Sequence, residues 1–281
     1  MDHLAPGTTI HRRIEVSNTT GSDAHVVLYA AAATIARGTF LGDAGHYQDD
    51  LSTWTSVRPG ASNIPSGGHL TATVTIGIPP DAAPGEQYAV VWAEVRAAPV
   101  AGDGVTEVSR VGIRLYLSVG SGAAPASNFV IESLTAERAP NGRPTVVAAV
   151  HNTGGRALDL SGTLQLSNGP GRLSAGPFSA TLGVTLAIGD TEPVTIALDR
   201  RLPAGPWNAQ ITLHSGLIER TARATITFPA TGASSPVNAT SPGHTWAPLA
   251  IGALAVLLAL IAASIVMFVP RRRRPWGPSH A

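Results

Sequence analysis

The chain has 281 residues, of which 44% are hydrophobic and 13% charged, with a formal net charge of +1 and no cysteine. It is too apolar for a disordered polymer, and without cysteine it has neither a disulfide framework nor a thiolate metal site. The positive charge rests on Arg271, Arg272, Arg273 and Arg274; elsewhere 15 basic residues meet 18 acidic ones, leaving −3, which excludes a nucleic-acid binder that works by neutralising phosphates.

With 30 glycines, 22 prolines and 5% aromatics, many short strands joined by turns are expected, so the fold class is all-β. Strand patterning starts at once: in MDHLAPGTTIHRRIEVSN, His11, Arg13, Glu15 and Ser17 alternate with Arg12, Ile14 and Val16. A domain that begins so abruptly predicts that Met1 is an internal start, with a first strand and an export signal upstream, and an incomplete sheet edge over residues 11–16. VVLYAAAATIA has alanine's helix propensity, but its setting between strands makes it a strand.

GDAGHYQDDLSTW brings Asp43, His46, Asp49 and Asp50 into one loop. A cation held by oxygen ligands is one reading; the spacing is not that of a calcium loop, and a solvated loop is preferred. HLTATVTIGI sets Leu70, Ala72, Val74, Ile76 and Ile78 on one face, and RVGIRLYLSV does the same with Val111, Ile113, Leu115, Leu117 and Val119. Both predict half-buried antiparallel sheet. The same alternation turns Trp92 inward.

GSGAAPAS interrupts the pattern and predicts a hinge over 120–127, between a first sandwich at 1–119 and a second at 128–229. The halves echo one another. RIEVSNTTGSDAHVVLYA matches VAAVHNTGGRALDLSGTLQL, and PPDAAPGEQYAVVWAEV matches DRRLPAGPWNAQITLHS, with turn residues at corresponding points. Two Ig-like β-sandwich domains in tandem follow from this.

The stretch FPATG (Phe228, Pro229, Ala230, Thr231, Gly232) is similar to a sortase signal and is also ordinary linker composition. A flexible stalk is expected over 230–246. Residues 247–269 then read APLAIGALAVLLALIAASIVMFV, from Ala247 to Val269, an uncharged run long enough for one transmembrane α-helix. Trp246 before it and the four arginines after it predict a single-pass anchor in the lipid bilayer, with the bulk of the chain extracellular and residues 270–281 a basic cytoplasmic tail.

No HExxH, GxSxG or phosphate loop occurs, and the histidines are scattered. Asp81 and Glu86 flank a tight turn and Glu132 and Glu137 lie along an edge; paired carboxylates can hydrolyse sugars, but nothing makes these converge on a cleft. No catalytic residue, cofactor or metal is expected, and the chain is read as non-enzymatic. Exposed aromatics suited to a glycan are Tyr47, Trp54 and Trp92, each with a core position as its alternative.

LAPGTTIHRRIEVSNTTGSDAHVVLYAAAAT and WTSVRPGASNIPSGGHLTATVTIGIPPDAAPGEQYAVVWAEV resemble the peptidoglycan-binding domain of the WxL-interacting protein family of Gram-positive bacteria, over residues 4–119. Arginine as the sole basic residue type, with abundant alanine, glycine and proline, suggests a GC-rich, actinobacterial coding sequence. The resemblance implies a membrane-anchored cell-surface protein whose partners are peptidoglycan or another cell-wall component, and other surface proteins. A pure protein–protein interaction module, taking a partner's strand on a sheet edge, is the alternative.

Overall fold

The computed structural model describes residues 2–97, 106–180 and 183–241. Residues 1–241 form one of two units of the chain; the other, 242–281, lies outside the described residues. The fold is all-β, built of β-sandwiches. The first comprises β1 (Asp2–Leu4), β2 (Thr9–Ser17), β3 (Ala24–Ala36), β4 (Thr39–Gly42), a short helix α1 (Asp50–Thr53), β5 (Thr55–Arg58), β6 (Ala61–Ile64), β7 (His69–Gly77), β8 (Gly85–Arg96) and β9 (Val108–Val119). One sheet runs β1-β9-β8-β3-β4, with β6 also on β3; the facing sheet is β2-β7-β5. β1 lies parallel to β9, Asp2–Leu4 against Leu117–Val119.

Alternation puts Ala72, Val74 and Ile76 of β7 between the sheets, opposite Ala89 and Val91 of β8 and Leu117 and Val119 of β9. Leu51 of α1 closes one end of this core. The helix is held by a reciprocal cap: the Asp49 carboxylate accepts the Ser52 N–H at 2.8 Å, and the Ser52 hydroxyl accepts the Asp49 N–H at 2.7 Å. The alanine run of β3 is a strand because both its edges are paired and Ala31 and Ala33 pack beneath Phe40.

Trp92 is not inward. The inward set on β8 is Ala89, Val91 and Ala93, and a shift of one residue reverses the face. Trp92 stands instead in a cluster with Ala31, Ala33, Phe40, Val90 and Tyr116 on the outer side of the sheet.

The second sandwich contains β10 (Phe129–Arg138), β11 (Pro144–Asn152), β12 (Leu158–Asp159), β13 (Ser161–Ser167), β14 (Ala175–Ser179), β15 (Thr185–Leu186), β16 (Thr191–Ala197), β17 (Trp207–Ser215), β18 (Ile218–Ile226), β19 (Gly232–Ala233) and β20 (Val237–Asn238). Strands β16-β11-β10 form one sheet, with β19 and β20 both along the outer edge of β10; β14-β13-β17-β18 form the other, and β12 pairs with β15. One core of 23 buried residues, including Phe129, Leu134, Val146, Leu164 and Trp207, fills the space between them.

The internal sequence echo has a counterpart in side-chain geometry. Asn18 donates from Nδ2 to the carbonyls of Ser22, Ile64 and Pro65 at 2.7, 2.9 and 3.2 Å, and its Oδ1 accepts the Thr20 N–H. Asn152 donates to Arg156, Leu186 and Ala187 at 2.8, 3.2 and 3.0 Å, and accepts the Gly154 N–H. In both, a buried amide at the end of a strand ties the carbonyl four residues on, the N–H two residues on, and a loop from another strand. This explains why Asn-Thr recurs at matching points.

Contacts join the two sandwiches. The Ala157 N–H donates to the Glu86 carboxylate at 2.7 Å, the Thr185 N–H to the Gly38 carbonyl at 2.8 Å, and Arg114 lies 3.3 Å from Asp159.

Candidate functional site

The run Val111–Val119 alternates as a core strand does, yet Val111 is 70% exposed and Ile113 49%. Both belong to the same face as Leu115, Leu117 and Val119, which is the inner face of the sandwich. They are uncovered because no strand lies beside them. Among the described residues, β9 has a neighbour on its outer side only at Leu117–Val119, where β1 pairs, and β2 pairs only with β7. These two unpaired edges border the same side of the sandwich and leave the interior open between them.

Three adjoining cavities line this seam. The first, about 170 Å³, is bordered by Ile14, Val91, Ile113 and Leu115. The second, about 180 Å³, lies among Ile14, Val16, Leu28, Val91, Val111 and Ile113, and the third, about 230 Å³, among Val16, Ala93, Val95, Ser109 and Val111. Aliphatic side chains form the floor, Arg12 and Asp2 stand in the wall of the first cavity, and among the described residues the backbone N–H and C=O groups on both rims lack ladder partners.

Charged residues on the outer face beside the seam are already paired. Glu94, 1% exposed, accepts from Tyr29 OH at 2.7 Å, Arg110 Nε at 2.7 Å and Arg96 Nε at 2.6 Å. Burial pushes the Glu94 carboxyl up, but these three donors outweigh it and bring it down to about 2 from the ordinary 4.5. A carboxyl depressed by folding stabilises the native state above its unfolded pKa and loses that contribution as the pH falls through the folded value. Glu94→Gln is therefore expected to lower the urea midpoint at pH 7, with the gap from wild type closing between about pH 4.5 and 2. A gap that persists unchanged to pH 2 would count against this account.

In the second sandwich the chain itself covers the outer edge of β10. Gly232 and Ala233 pair with Arg138 and Glu137, Val237 and Asn238 pair with Leu134 and Ser133, and Thr240 then bridges to Arg223 of β18. An open cavity of about 670 Å³ beside this stretch has a mixed lining, with Asn208, Gln210, Arg223 and Thr225 beside Ala209, Ala224 and Val237, and Arg223 already donates to Gln210 at 2.8 Å.

Of the aromatics expected to meet a ligand, Trp92 lies on the outer face of the sheet over Gly112, and its Nε1 donates to the Asp43 carbonyl at 2.7 Å. Tyr47 is 71% exposed, and Trp54 packs against the first core. The loop acids have local tasks: Asp43 accepts the Gly45 N–H, Asp49 caps α1 and accepts the Ala33 N–H, and His46 stacks on Tyr29 at 3.7 Å. Among the described residues no group of three or more histidines and acids is placed to hold a metal ion. Phe228 is 2% exposed in the second core, the Pro229 carbonyl accepts from Arg138, Ala230 and Thr231 turn the chain, and Gly232 opens β19. The beginning of the expected stalk thus runs along β10.

Fold and seam define an all-β sandwich protein with two unpaired strand edges among the described residues. No family model matches the chain, and no curated protein matches it. Among solved structures it is similar to the CupB2 chaperone of Pseudomonas aeruginosa, at 13% identity over 77% of this chain and 92% of that one, with a TM-score of 0.39. The YadV chaperone matches at 11% identity over 79% and 96%, TM-score 0.41, and the E. coli chaperone DraB at 12% over 84% and 92%, TM-score 0.39.

Several expectations are corrected by these findings. Membership of the WxL-interacting family is overturned, since no family model matches the chain and the similar structures named above are chaperones. The same findings overturn the membrane-anchored peptidoglycan binder, its sortase-processed variant through Phe228–Gly232, and the cell-wall and surface-protein partners, and give no support to a Gram-positive or actinobacterial origin. The single-pass placement in a lipid bilayer is corrected likewise. The segment 247–269, with Trp246, Ala247, Val269 and Arg271, Arg272, Arg273 and Arg274, lies outside the described residues, and among the described residues no helix is long and apolar enough to cross a membrane. The resemblance misled because strand alternation and Pro-Gly turns are shared by many unrelated sandwiches.

Proposed function

We propose that this chain is a non-catalytic polypeptide-binding protein whose first sandwich takes up an extended segment of a partner protein in the seam between β2 and β9. The reading treats residues 1–119 and 128–229 as Ig-like sandwiches joined at 120–127. One observation carries it: Val111 and Ile113 stand on the inner face of β9 yet are 70% and 49% exposed, above a row of three cavities. An added strand satisfies the free N–H and C=O groups of the rim and covers these side chains in one step. Covering a valine or isoleucine fully stabilises by about 1.5–3 kcal/mol, enough for two of them to decide whether a segment binds.

The test is a peptide array probed with the purified chain and with Val111→Glu. The wild type is expected to retain extended, apolar-containing peptides that the variant releases, because a carboxylate cannot enter the seam unpaired. Equal retention by both proteins would overturn the reading.

A further inference from the structure

The second sandwich carries a cavity of its own, about 670 Å³ in volume, within the range of roughly 300–1,000 Å³ usual for small-molecule sites. Two neighbouring strands make its floor. Asn208 and Gln210 stand two residues apart on β17, and Thr225 and Arg223 lie directly opposite them on β18, so the four side chains share one face of the sheet. The lip is the segment after β19, from which Val237, Asn238 and Thr240 line the same space.

This lip is fixed on both sides. Val237 and Asn238 pair with Leu134 and Ser133 of β10, the Ala239 N–H donates to the Glu132 carbonyl at 2.9 Å, and Arg223 and Thr240 exchange both of their backbone bonds at 2.9 Å. The cavity is therefore built by the fold before any ligand arrives, and the backbone of Arg223 is clamped by the lip itself.

Hydrogen bonds inside the cavity decide what it can take. The Thr225 hydroxyl donates to Asn208 Oδ1 at 3.3 Å and Arg223 Nε donates to Gln210 Oε1 at 2.8 Å, so the amide oxygens of β17 are both engaged. What these four side chains leave over is a set of N–H donors: Asn208 Nδ2, Gln210 Nε2, and Nη1 and Nη2 of Arg223. No carboxylate lines the cavity, and among the described residues Arg223 has no acid within ion-pair distance, whereas Arg12, Arg96, Arg110 and Arg114 each have one. A surplus of donors around one positive charge is matched by an oxyanion. The guanidinium is held through Nε, which leaves both Nη groups for a two-pronged contact. A single guanidinium balances a single negative charge, which favours a carboxylate over a doubly charged phosphate monoester. The Thr225 and Thr240 hydroxyls keep lone pairs that a ligand hydroxyl can donate to.

We infer that the outer face of β17 and β18, closed by residues 237–240, is a second binding site that takes a small hydroxylated organic acid through its carboxylate. Arg223 is the two-pronged anchor, and Asn208 and Gln210 are the flanking donors. The site lies in the other sandwich from the seam and does not depend on the seam binding a polypeptide.

The experiment is saturation-transfer difference NMR on the full chain with three probes that share one body: D-glucuronate, D-glucose and D-glucose 6-phosphate. Glucuronate is expected to bind with a Kd of about 1 mM, glucose 6-phosphate more weakly, and glucose not at all. Arg223→Gln is expected to weaken glucuronate binding at least about tenfold with an unchanged far-UV spectrum, and Arg223→Lys about threefold, since an ammonium keeps the charge but loses the fork. Should Arg223→Gln fail to fold, Asn208→Ala serves, with about threefold loss. Val111→Glu, in the seam, is expected to bind glucuronate as the wild type does, so this site and the seam are tested separately. Equal binding of glucose and glucuronate would overturn the anion site, as would glucuronate binding that Arg223→Gln leaves unmoved. Tighter binding of the phosphate would overturn the assignment to a carboxylate, and binding of none of the three would overturn the inference.

Discussion

Trp207→Ala is expected to destabilise the protein by about 4 kcal/mol, read as a lowered urea midpoint by far-UV circular dichroism. The indole is fully buried at the start of β17 and is the largest side chain in the second core. Its Nε1 donates to the Pro203 carbonyl at 3.0 Å, so it fastens the preceding turn as well as filling volume. Gly169 lies under the ring so closely that a methyl there would collide with it. The site is thus shaped around the indole from both sides, and truncation leaves a void that rigid neighbouring strands cannot close. Trp207→Phe should recover more than half of the loss. A midpoint within about 1 kcal/mol of wild type for Trp207→Ala would show the second core to be far more plastic than its packing implies.

Asn152→Ala is expected to cost about 3 kcal/mol, and Asn18→Ala a similar amount, because each leaves buried backbone groups without partners. One amide answers three carbonyls and one N–H in each case, and of these groups only the Ser22 carbonyl has a second side-chain donor among the described residues, the Thr20 hydroxyl at 3.2 Å. The aspartate variants make the test sharper. Asn152→Asp matches the shape but turns an acceptor toward three carbonyls, so at neutral pH it should be worse than alanine, and part of the loss should return as the carboxyl is protonated. If Asn152→Asp were as stable as wild type, the amide donor would not be what holds this turn.

Legibility differed from element to element for physical reasons. The strands from His69 to Gly77 and from Val108 to Val119 could be located from alternation, since a period of two is a local property of any half-buried strand. The repeated Asn-Thr pairs were visible as an echo, because the bonds from Asn18 and Asn152 to the groups two and four residues on are local as well. Trp92 was misplaced, since its face depends on how β8 registers with β3 and β9, and one residue of register reverses it. The family resemblance failed for the opposite reason: alternation and turn chemistry are so widely shared that they cannot separate one sandwich lineage from another.

The seam was hidden in plain view. By itself the amino-acid sequence determined that Val111 and Ile113 share a face with Leu115, Leu117 and Val119, and that this face is built for burial. Only the tertiary structure decided that Leu117 and Val119 are covered, Leu115 half-covered, and Val111 and Ile113 left open. Whether an apolar side chain is buried depends on what lies across from it, and here that is settled by β1, more than a hundred residues away in the chain, which reaches β9 at residues 117–119 alone.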